Sequence, residues 1–368
     1  MNYIKGYKFR LYPNKTQKIL LNKILGCCRF VYNHFLAVRR ESWEKDKKSV
    51  NYTQTSSMLT QLKKEISWLN EADSIALQQS LKNLDIAYQN FFGNGRGYPK
   101  YKSKRNHRQT YRTVSKIIRI EGKRIKLPKV GLVKFEQSRE FQGRILSATI
   151  TRTAAEKYFV SLCVEEDIAD NLKQNNGGQI GIDVGLKEFY TDNFGNTVAN
   201  PRILKSLTAK LCREQKRFSR RKIGSNNRNK QRVKVARVHE KIANARLDFL
   251  HKESTRLCRE NQTIAVESLQ VKNLMRNHKL AKAISDVSWG EFFRQLSYKS
   301  VLYGCDLIKI PTFYPSSQTC SCCGFKNPIT KNLSVRNWHC PNCGTFHYRD
   351  LNAAKNILQK ALEIKNLD

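Results

Sequence analysis

Four cysteines and three acidic residues are the side chains of this sequence whose types and spacing could do chemistry. Cys320 and Cys323 form one CxxC pair and Cys340 and Cys343 a second, with sixteen residues between the pairs. The spacing suits a structural zinc ribbon, because a CxxC turn lets two thiolates face one point and tetrahedral Zn²⁺ takes four sulfurs at about 2.3 Å. Gly324 and Gly344 each follow a second cysteine, where a tight knuckle needs an unhindered backbone. His339 and His347 could substitute as ligands, but four thiolates already complete the set. Two disulfides are the competing reading. The ribbon has few large apolar residues besides Phe325, Leu333, Val335, Trp338 and Phe346, so its zinc would also supply folding energy.

The acids are Asp183, flanked by Ile182 and Val184 in an apolar strand, Glu267 at the end of QTIAVE, and Asp350 at the start of RDLNAAKNILQKAL. A carboxylate within an apolar strand costs several kcal/mol unless it is paired or holds a metal. Alone, Asp350 reads as a helix N-cap. Taken together, the three match what phosphodiester hydrolysis by two divalent ions needs: a few carboxylates holding metals about 4 Å apart. Hard oxygen ligands select Mg²⁺ or Mn²⁺ over the zinc held by thiolates. The acids lie 84 and 83 residues apart, so only a fold can bring them together.

The elements that must do so are legible in outline. Tyr7, Phe9 and Leu11 alternate with basic residues in a strand that stops at Pro13, and Asn14 with Gln17 predicts a capping box for a helix running to about Glu44. Further helices are predicted around Leu59 to Ile66 and Ile75 to Phe91, making residues 14–92 a helical block. From Val114 to Glu165 the period is two, with a turn at Gly122, which predicts a small antiparallel barrel that the first strand could join. Glu166 to Gly178, ending in NNGG, reads as a linker. QIGIDVGLKEFYTDNFGN predicts a strand, a hairpin at Asn193 to Asn196 and a return strand. An antiparallel helix pair follows, then the Glu267 strand, a helix over 288–303 and a strand from Leu307 to Ile310. The helix carrying Asp350 shows Leu351, Ala354, Ile357, Leu358 and Leu362 at helical spacing.

Charge points to the partner. Lys and Arg number 68 against 30 Asp and Glu, a formal net charge of +38, which a polyanion explains better than a solvated face does. A membrane surface is the competing polyanion, but no long apolar run or basic amphipathic anchor stands out, and the opening MNYIKGYKFRLYPNK lacks a signal-peptide core. The expectation is a cytoplasmic protein whose thiols stay reduced and favour metal over disulfide. After the glycines 93, 95 and 97, Lys100, Lys102, Lys104, Arg105, Arg108 and Arg112 interleave with Tyr98, Tyr101 and Tyr111, a pattern that grips phosphates while rings stack on bases. From Lys205 to Lys241, fourteen Lys or Arg residues, among them Arg220 and Arg221, predict a basic outer face on the helix pair.

GIDVGLKEF, AVESLQVKNL, YPSSQTCSCCGF, CPNCG and RDLNAAKNI together, with the opening YKFRLYPNKTQ and GCCRFVYNHFL, resemble the TnpB (OrfB) family of transposon-encoded nucleases, relatives of the type V CRISPR effectors. The motifs run in family order over nearly the whole chain. The resemblance implies an α/β plus β-barrel architecture: a RuvC-like nuclease domain of RNase H fold (179–311 and 347–368) with an inserted zinc ribbon (312–346). An N-terminal wedge barrel (1–13 and 106–170), interrupted by a helical recognition domain (14–105), precedes it across a linker at 171–178. It implies Asp183, Glu267 and Asp350 as the metal-binding acids, one structural Zn²⁺, and two catalytic Mg²⁺ or Mn²⁺. It also implies a guide RNA from the transposon end that directs cleavage of matching double-stranded DNA beside a short motif. A monomer is expected. Motif readers are expected on the helical block, among Tyr52, Ser56, Gln78, Gln79 and Lys82, since Gln amides pair with adenine edges. Many members have Asp where this chain has Tyr348; the acid assigned here is the later Asp350.

Two rival readings remain at this level. A strand-joining transposase could use the same fold, though its typical acid order is Asp, Asp, Glu rather than the Asp, Glu, Asp found here. A non-catalytic zinc-dependent DNA-binding regulator fits the charge and the ribbon but leaves Asp183 and Glu267 in apolar strands unexplained.

Overall fold

Pro13 ends the first strand and Asn14 opens the helix after it. The Asn14 side chain accepts from the Gln17 amide at 2.8 Å while the Gln17 side chain accepts from the Asn14 amide at 3.0 Å, the expected capping box. The computed structural model describes residues 2–106, 108–114, 116–167 and 175–367. Its chain divides into two units, Met1–Asp170 and Asn171–Asp368.

In the first unit, β1 (Asn2–Tyr12) leads into α1 (Lys15–Asp46), α2 (Tyr52–Glu65) and α3 (Ser74–Gly93), and then β2 (Arg108–Thr113), β3 (Arg119–Glu121), β4 (Arg124–Leu127), β5 (Gly131–Glu136), β6 (Arg144–Thr153) and β7 (Tyr158–Asp167). The strands form one antiparallel sheet in the order β2-β6-β7-β1-β5-β4-β3, so the opening strand sits inside the sheet, paired to β7 from Asn2–Asp167 to Leu11–Tyr158. Its alternating Tyr7, Phe9 and Leu11 join α1's Leu21, Ile24 and Phe35 and α3's Leu77 and Leu81 in one buried core. One expectation is corrected here: Tyr111 is buried within β2 rather than offered to bases, because the run from Arg108 to Thr113 is a strand whose burial alternates.

The second unit begins with β8 (Gly178–Val184), β9 (Glu188–Asp192) and β10 (Thr197–Ala199), continues through α4 (Ile203–Ser219) and α5 (Asn226–Glu260) to β11 (Asn261–Glu267), and then runs α6 (Val271–Leu274), α7 (Ala281–Val287), α8 (Trp289–Tyr303) and β12 (Asp306–Ile310). The ribbon strands β13 (Asn337–His339) and β14 (Phe346–Tyr348) and the helix α9 (Arg349–Lys365) complete it. The run read as one strand before the Asn193 hairpin is two, β8 and β9, turning at Gly185, whose amide bonds the Phe189 carbonyl at 3.2 Å. The sheet order is β10-β9-β8-β11-β12, with β8, β9 and β10 antiparallel and β11 parallel to both β8 and β12. α4 and α5 close the predicted seam through Leu211, Val238 and Ile242. Of the stretch read as a linker, Glu166 and Asp167 belong to β7 and Gly178 to β8, because their ladders run on, and residues 168–174 lie outside the described residues. The last part is held in this unit: the Asn175 side chain donates to Gln262 Oε1 at 2.8 Å and the Asn176 amide to the Arg259 carbonyl at 2.9 Å.

α9 lies directly on β8. Its buried face is made of small residues, Ala353, Ala354 and Ala361, with Ile357, and these let the helix backbone reach the strand at Gly181. A Cβ at Gly181 would fall 2.4 Å from the Ala354 carbonyl oxygen and 2.8 Å from the Leu358 nitrogen, contacts that only a shift of the helix could relieve. Gly181→Ala is therefore expected to destabilise this unit by about 1–3 kcal/mol, the range for overpacking. Urea unfolding of the purified chain would read it, and an unchanged midpoint would contradict this packing.

Candidate active site

Strand alternation points Asp183 at α9. Ile180 and Ile182 are buried on one face of β8, so Gly181 and Asp183 share the other, where α9 packs. Two residues on from Gly181, about 6.6 Å along the strand, is Asp183. Four residues back from Ala354, about 6 Å along the helix, is Asp350. β11 runs parallel to β8 with Val266 opposite Ile182, so Glu267 ends its strand level with Asp183. Ala265 packs with Ile357 and Ala361, so Glu267, two residues further, turns to the same face.

The charges of these acids act on one another. Burial pushes the Asp183 carboxyl well above the usual carboxylate range, the charges of Glu267 and Asp350 push it further, and Arg349 and Arg336 only partly oppose them. Burial also raises Glu267, against a hydrogen bond from Ser316 Oγ to its Oε1 at 2.5 Å. Asp350 Oδ1 accepts from Arg336 Nη1 at 3.3 Å. The N-cap of α9 is Tyr348, so Asp350 sits inside the first turn and is not the cap. Two carboxyls raised by burial, beside a third that has one arginine partner, suit hard divalent cations. Among the described residues they do not close to the spacing the four thiols reach, and a pair of ions about 4 Å apart calls for a wider ligand set than one ion does.

A carboxyl whose folded pKa is raised favours the protonated fold. Its stabilising contribution is full below the ordinary carboxylate range and is lost as pH rises through the raised value. Asp183→Asn should therefore raise the melting temperature of the protein in Mg²⁺-free buffer at neutral pH, with the gain shrinking as the buffer is made acid. Calorimetry across that range checks it; a lower melting temperature at neutral pH would exclude the like-charge strain.

The four cysteines do converge. Their sulfurs all lie within 4.8 Å of one another, with Cys320 Sγ 3.7 Å from Cys343 Sγ and Cys323 Sγ 3.5 Å from Cys340 Sγ. A tetrahedron of sulfurs at about 2.3 Å from its centre has edges of about 3.8 Å, so the set is compatible with zinc. Each knuckle is closed by its glycine: Gly324 and Gly344, at φ +77° and +72°, donate to the carbonyls of Cys320 and Cys340 at 2.9 Å. Burial pushes the Cys320 thiol up to about 12, while hydrogen bonding to Thr345 holds Cys343 down at about 6, so a shared cation is what would keep all four ionised together. His347 is no competitor for a place; its ring is buried against Trp338 with Nε2 3.0 Å from Cys320 Sγ, and His339 is exposed. Of the ribbon's large apolar residues Trp338 alone is buried, whereas Phe325, Leu333 and Phe346 are exposed.

The proposed nucleic-acid contacts fall in three places. Tyr52 and Ser56 lie on α2 and Gln78, Gln79 and Lys82 on α3, with the Lys82 ammonium 5.5 Å from the Tyr52 ring centre, so these two helices present them together. Lys100, Lys104 and Arg105 are exposed, but Lys102 is tucked in: Asn33 pairs with both its backbone groups at 2.8 and 2.9 Å and its ammonium lies 3.9 Å from the Tyr32 ring centre. Arg220 and Arg221 are exposed at the turn between α4 and α5, where Arg228 is spent on the carbonyls of Phe218 and Arg221.

Sequence reasoning missed Ser316, Arg336, Asn352 and Asn356, all of which touch the acids or the elements carrying them. Asn352 and Asn356 did leave a signal, two amides one turn apart inside an otherwise apolar helix face.

The fold is similar to that of a Cas12f1 solved by cryo-EM in complex with sgRNA and target DNA, the match covering 97% of this chain and 98% of that one at a TM-score of 0.58 and 13% identity. Sequence models match three stretches, described as "Probable transposase" over residues 161–278, "Cas12f1-like, TNB domain" over 289–357 and "Helix-turn-helix domain" over 1–48, although this last stretch folds as β1 and a single long helix. A Streptomyces pristinaespiralis protein named "Putative RNA-guided DNA endonuclease" is 38% identical over 97% of this chain and 89% of its own length. "Putative RNA-guided DNA endonuclease InsQ" of Escherichia coli K12 is 31% identical over 97% and 92%. The chain belongs to the TnpB (OrfB) family, kin of the type V CRISPR effectors.

Proposed function

We propose that the chain is an RNA-guided DNA endonuclease that binds a guide RNA transcribed from a transposon end and cleaves complementary double-stranded DNA beside a short adjacent motif. The observation that carries the reading is that the charges of Glu267 on β11 and Asp350 on α9 bear on Asp183 of β8 at one end of a mixed sheet, leaving it under-compensated. The names of the relatives and the Cas12f1 fold favour the same activity. The order β10-β9-β8-β11-β12, with antiparallel and parallel pairs in these positions, supports an RNase H-like, RuvC-type domain over 179–311 and 347–368 that takes the ribbon (312–346) as an insertion.

In this mechanism Asp183, Glu267 and Asp350 would hold two Mg²⁺ or Mn²⁺, which when bound supply the activation of water and the stabilisation of the leaving oxygen. The protein's own work is to fix the acids: Ser316 on Glu267, Arg336 on Asp350, and the α9 to β8 contact beneath both Asp183 and Asp350. Zinc on Cys320, Cys323, Cys340 and Cys343 is structural. Sequence is read by base pairing, the protein gripping the A-form duplex by its backbone. Lys100, Lys104, Arg105, Arg220 and Arg221 are the exposed cations proposed for that grip, and the α2 to α3 face with Tyr52, Ser56, Gln78, Gln79 and Lys82 for the adjacent motif. No helix among the described residues is long and apolar enough to cross a membrane.

The test is to purify the protein from cells, sequence the RNA that accompanies it, and offer the complex a plasmid carrying the matching sequence beside randomised flanks. Cleavage should need RNA, match and Mg²⁺ together. Joined rather than cut DNA would favour the transposase reading, and binding without any cutting the regulator.

A further inference from the structure

From the sheet into the first zinc knuckle runs a short stalk, Ser316 to Ser321, five of whose hydrogen bonds go to the elements that carry Glu267 and Asp350. Ser316 is buried and gives its one hydroxyl proton to Glu267 Oε1. Its carbonyl accepts from Asn356 Nδ2 at 2.7 Å, and the same amide donates to the Thr319 carbonyl at 2.6 Å. One turn earlier on α9, Asn352 Nδ2 donates to the Thr319 carbonyl at 2.7 Å while its Oδ1 accepts from the Ser321 amide at 2.9 Å. Thr319 and Ser321 flank Cys320. Both asparagines are almost wholly buried, and a buried amide is costly unless its hydrogen bonds are made, so apolar packing alone gives no reason for them.

We propose that this stalk sets the geometry of the acids, with Ser316 as the positioning residue for Glu267 and Asn352 and Asn356 tying the same segment to the helix that carries Asp350. The proposal rests on the nuclease reading above. A hydroxyl bonded to one oxygen of a carboxylate fixes the plane in which the other is presented, and outer partners of this kind on metal-binding carboxylates are typically worth about 10–100-fold in metal affinity. The ribbon is thereby joined to the acids through hydrogen bonds on both Glu267 and α9, in addition to chain connectivity.

The experiment uses the full chain loaded with guide RNA and compares Ser316→Thr, which keeps the hydroxyl, with Ser316→Val, which has nearly the same shape without it. Mn²⁺ titrated without DNA and followed by electron paramagnetic resonance reads affinity, and cleavage against Mg²⁺ concentration reads the requirement in turnover. Expected is that the valine variant binds Mn²⁺ about 10–100-fold more weakly. It should need correspondingly more Mg²⁺ for half-maximal cutting and recover most of its rate at saturation, while keeping one zinc and wild-type guide binding. The threonine variant should track the wild type on every measure. A valine variant with wild-type Mn²⁺ affinity, or a threonine variant that fails as valine does, overturns the proposal. Should the wild type not cut in Mg²⁺ at all, the nuclease reading has failed, and the Mn²⁺ comparison decides the stalk's role by itself.

Discussion

Asp183→Ala should leave guide binding unchanged and lower Mg²⁺-dependent target cleavage by at least about a thousandfold, since losing the metals' hold removes several kcal/mol of transition-state stabilisation and about 1.36 kcal/mol is a factor of ten. The size follows from position. Asp183 is the acid on which the other two charges act, and it is the one borne within a strand. Folding should not suffer, because the substitution removes a buried carboxyl that the fold holds against desolvation and like charge. Plasmid nicking and linearisation, read beside RNA mobility shifts, separate the two effects. Cleavage within tenfold of wild type would remove Asp183 from the chemistry.

Loss of zinc should have an effect of similar size by a different route. Structural zinc contributes on the order of 10–16 kcal/mol of apparent free energy in small modules, about as much as whole domains have in total. In this ribbon it has little to fall back on: the buried cluster is Cys320, Cys340 and Trp338 with Val335 against it, and two of those three are the proposed ligands. Cys340→Ser, or exhaustive chelation, should therefore unfold residues 316–348, expose Trp338 and admit protease within that stretch. Cleavage should fall with it because the segment leads straight into Arg349 and Asp350. Zinc content by mass spectrometry, tryptophan emission and mapped proteolysis check the sequence of events. A metal-free ribbon that keeps its Trp338 buried would show that the thiols are not its fold's keystone.

What could be read from the residues beforehand divides along physical lines. Local signals were clear: the Asn14 and Gln17 cap, the positive-φ glycines after each CxxC, the α4 to α5 seam and the helix start before Asp350 all depend on neighbours a few residues apart. Asp183 and Glu267 stand out because a charge in or at the end of an apolar strand is an anomaly in one dimension, whereas Asp350 alone reads as a helix cap and joins them through the family resemblance. What failed was rotation and accessibility. Of the α9 face expected, Ala354 and Ile357 are buried, but the helix is turned so that Ala353, Asn356 and Ala361 are buried with them and Leu351, Leu358 and Leu362 only half so, because Gly181 admits a backbone at that point and a leucine side chain would hold it off. Tyr111 and Lys102 looked like nucleic-acid contacts by composition, yet one is core and the other lies on the Tyr32 ring. The hydrogen bond from Ser316 to Glu267 joins residues 49 apart and left no local trace.

Asp350 lies 167 residues beyond Asp183 in the chain, with the whole ribbon still to be made after Glu267. On a ribosome adding roughly 5–20 residues per second, at least about eight seconds separate the emergence of the first acid from that of the last. During that interval a nascent polypeptide already exposes much of its cationic surface and can meet RNA, including the transcript being translated. On the reading proposed above, in which all three acids are needed to hold the metals, newly made protein would stay harmless to DNA until the helix bearing Asp350 has been delivered.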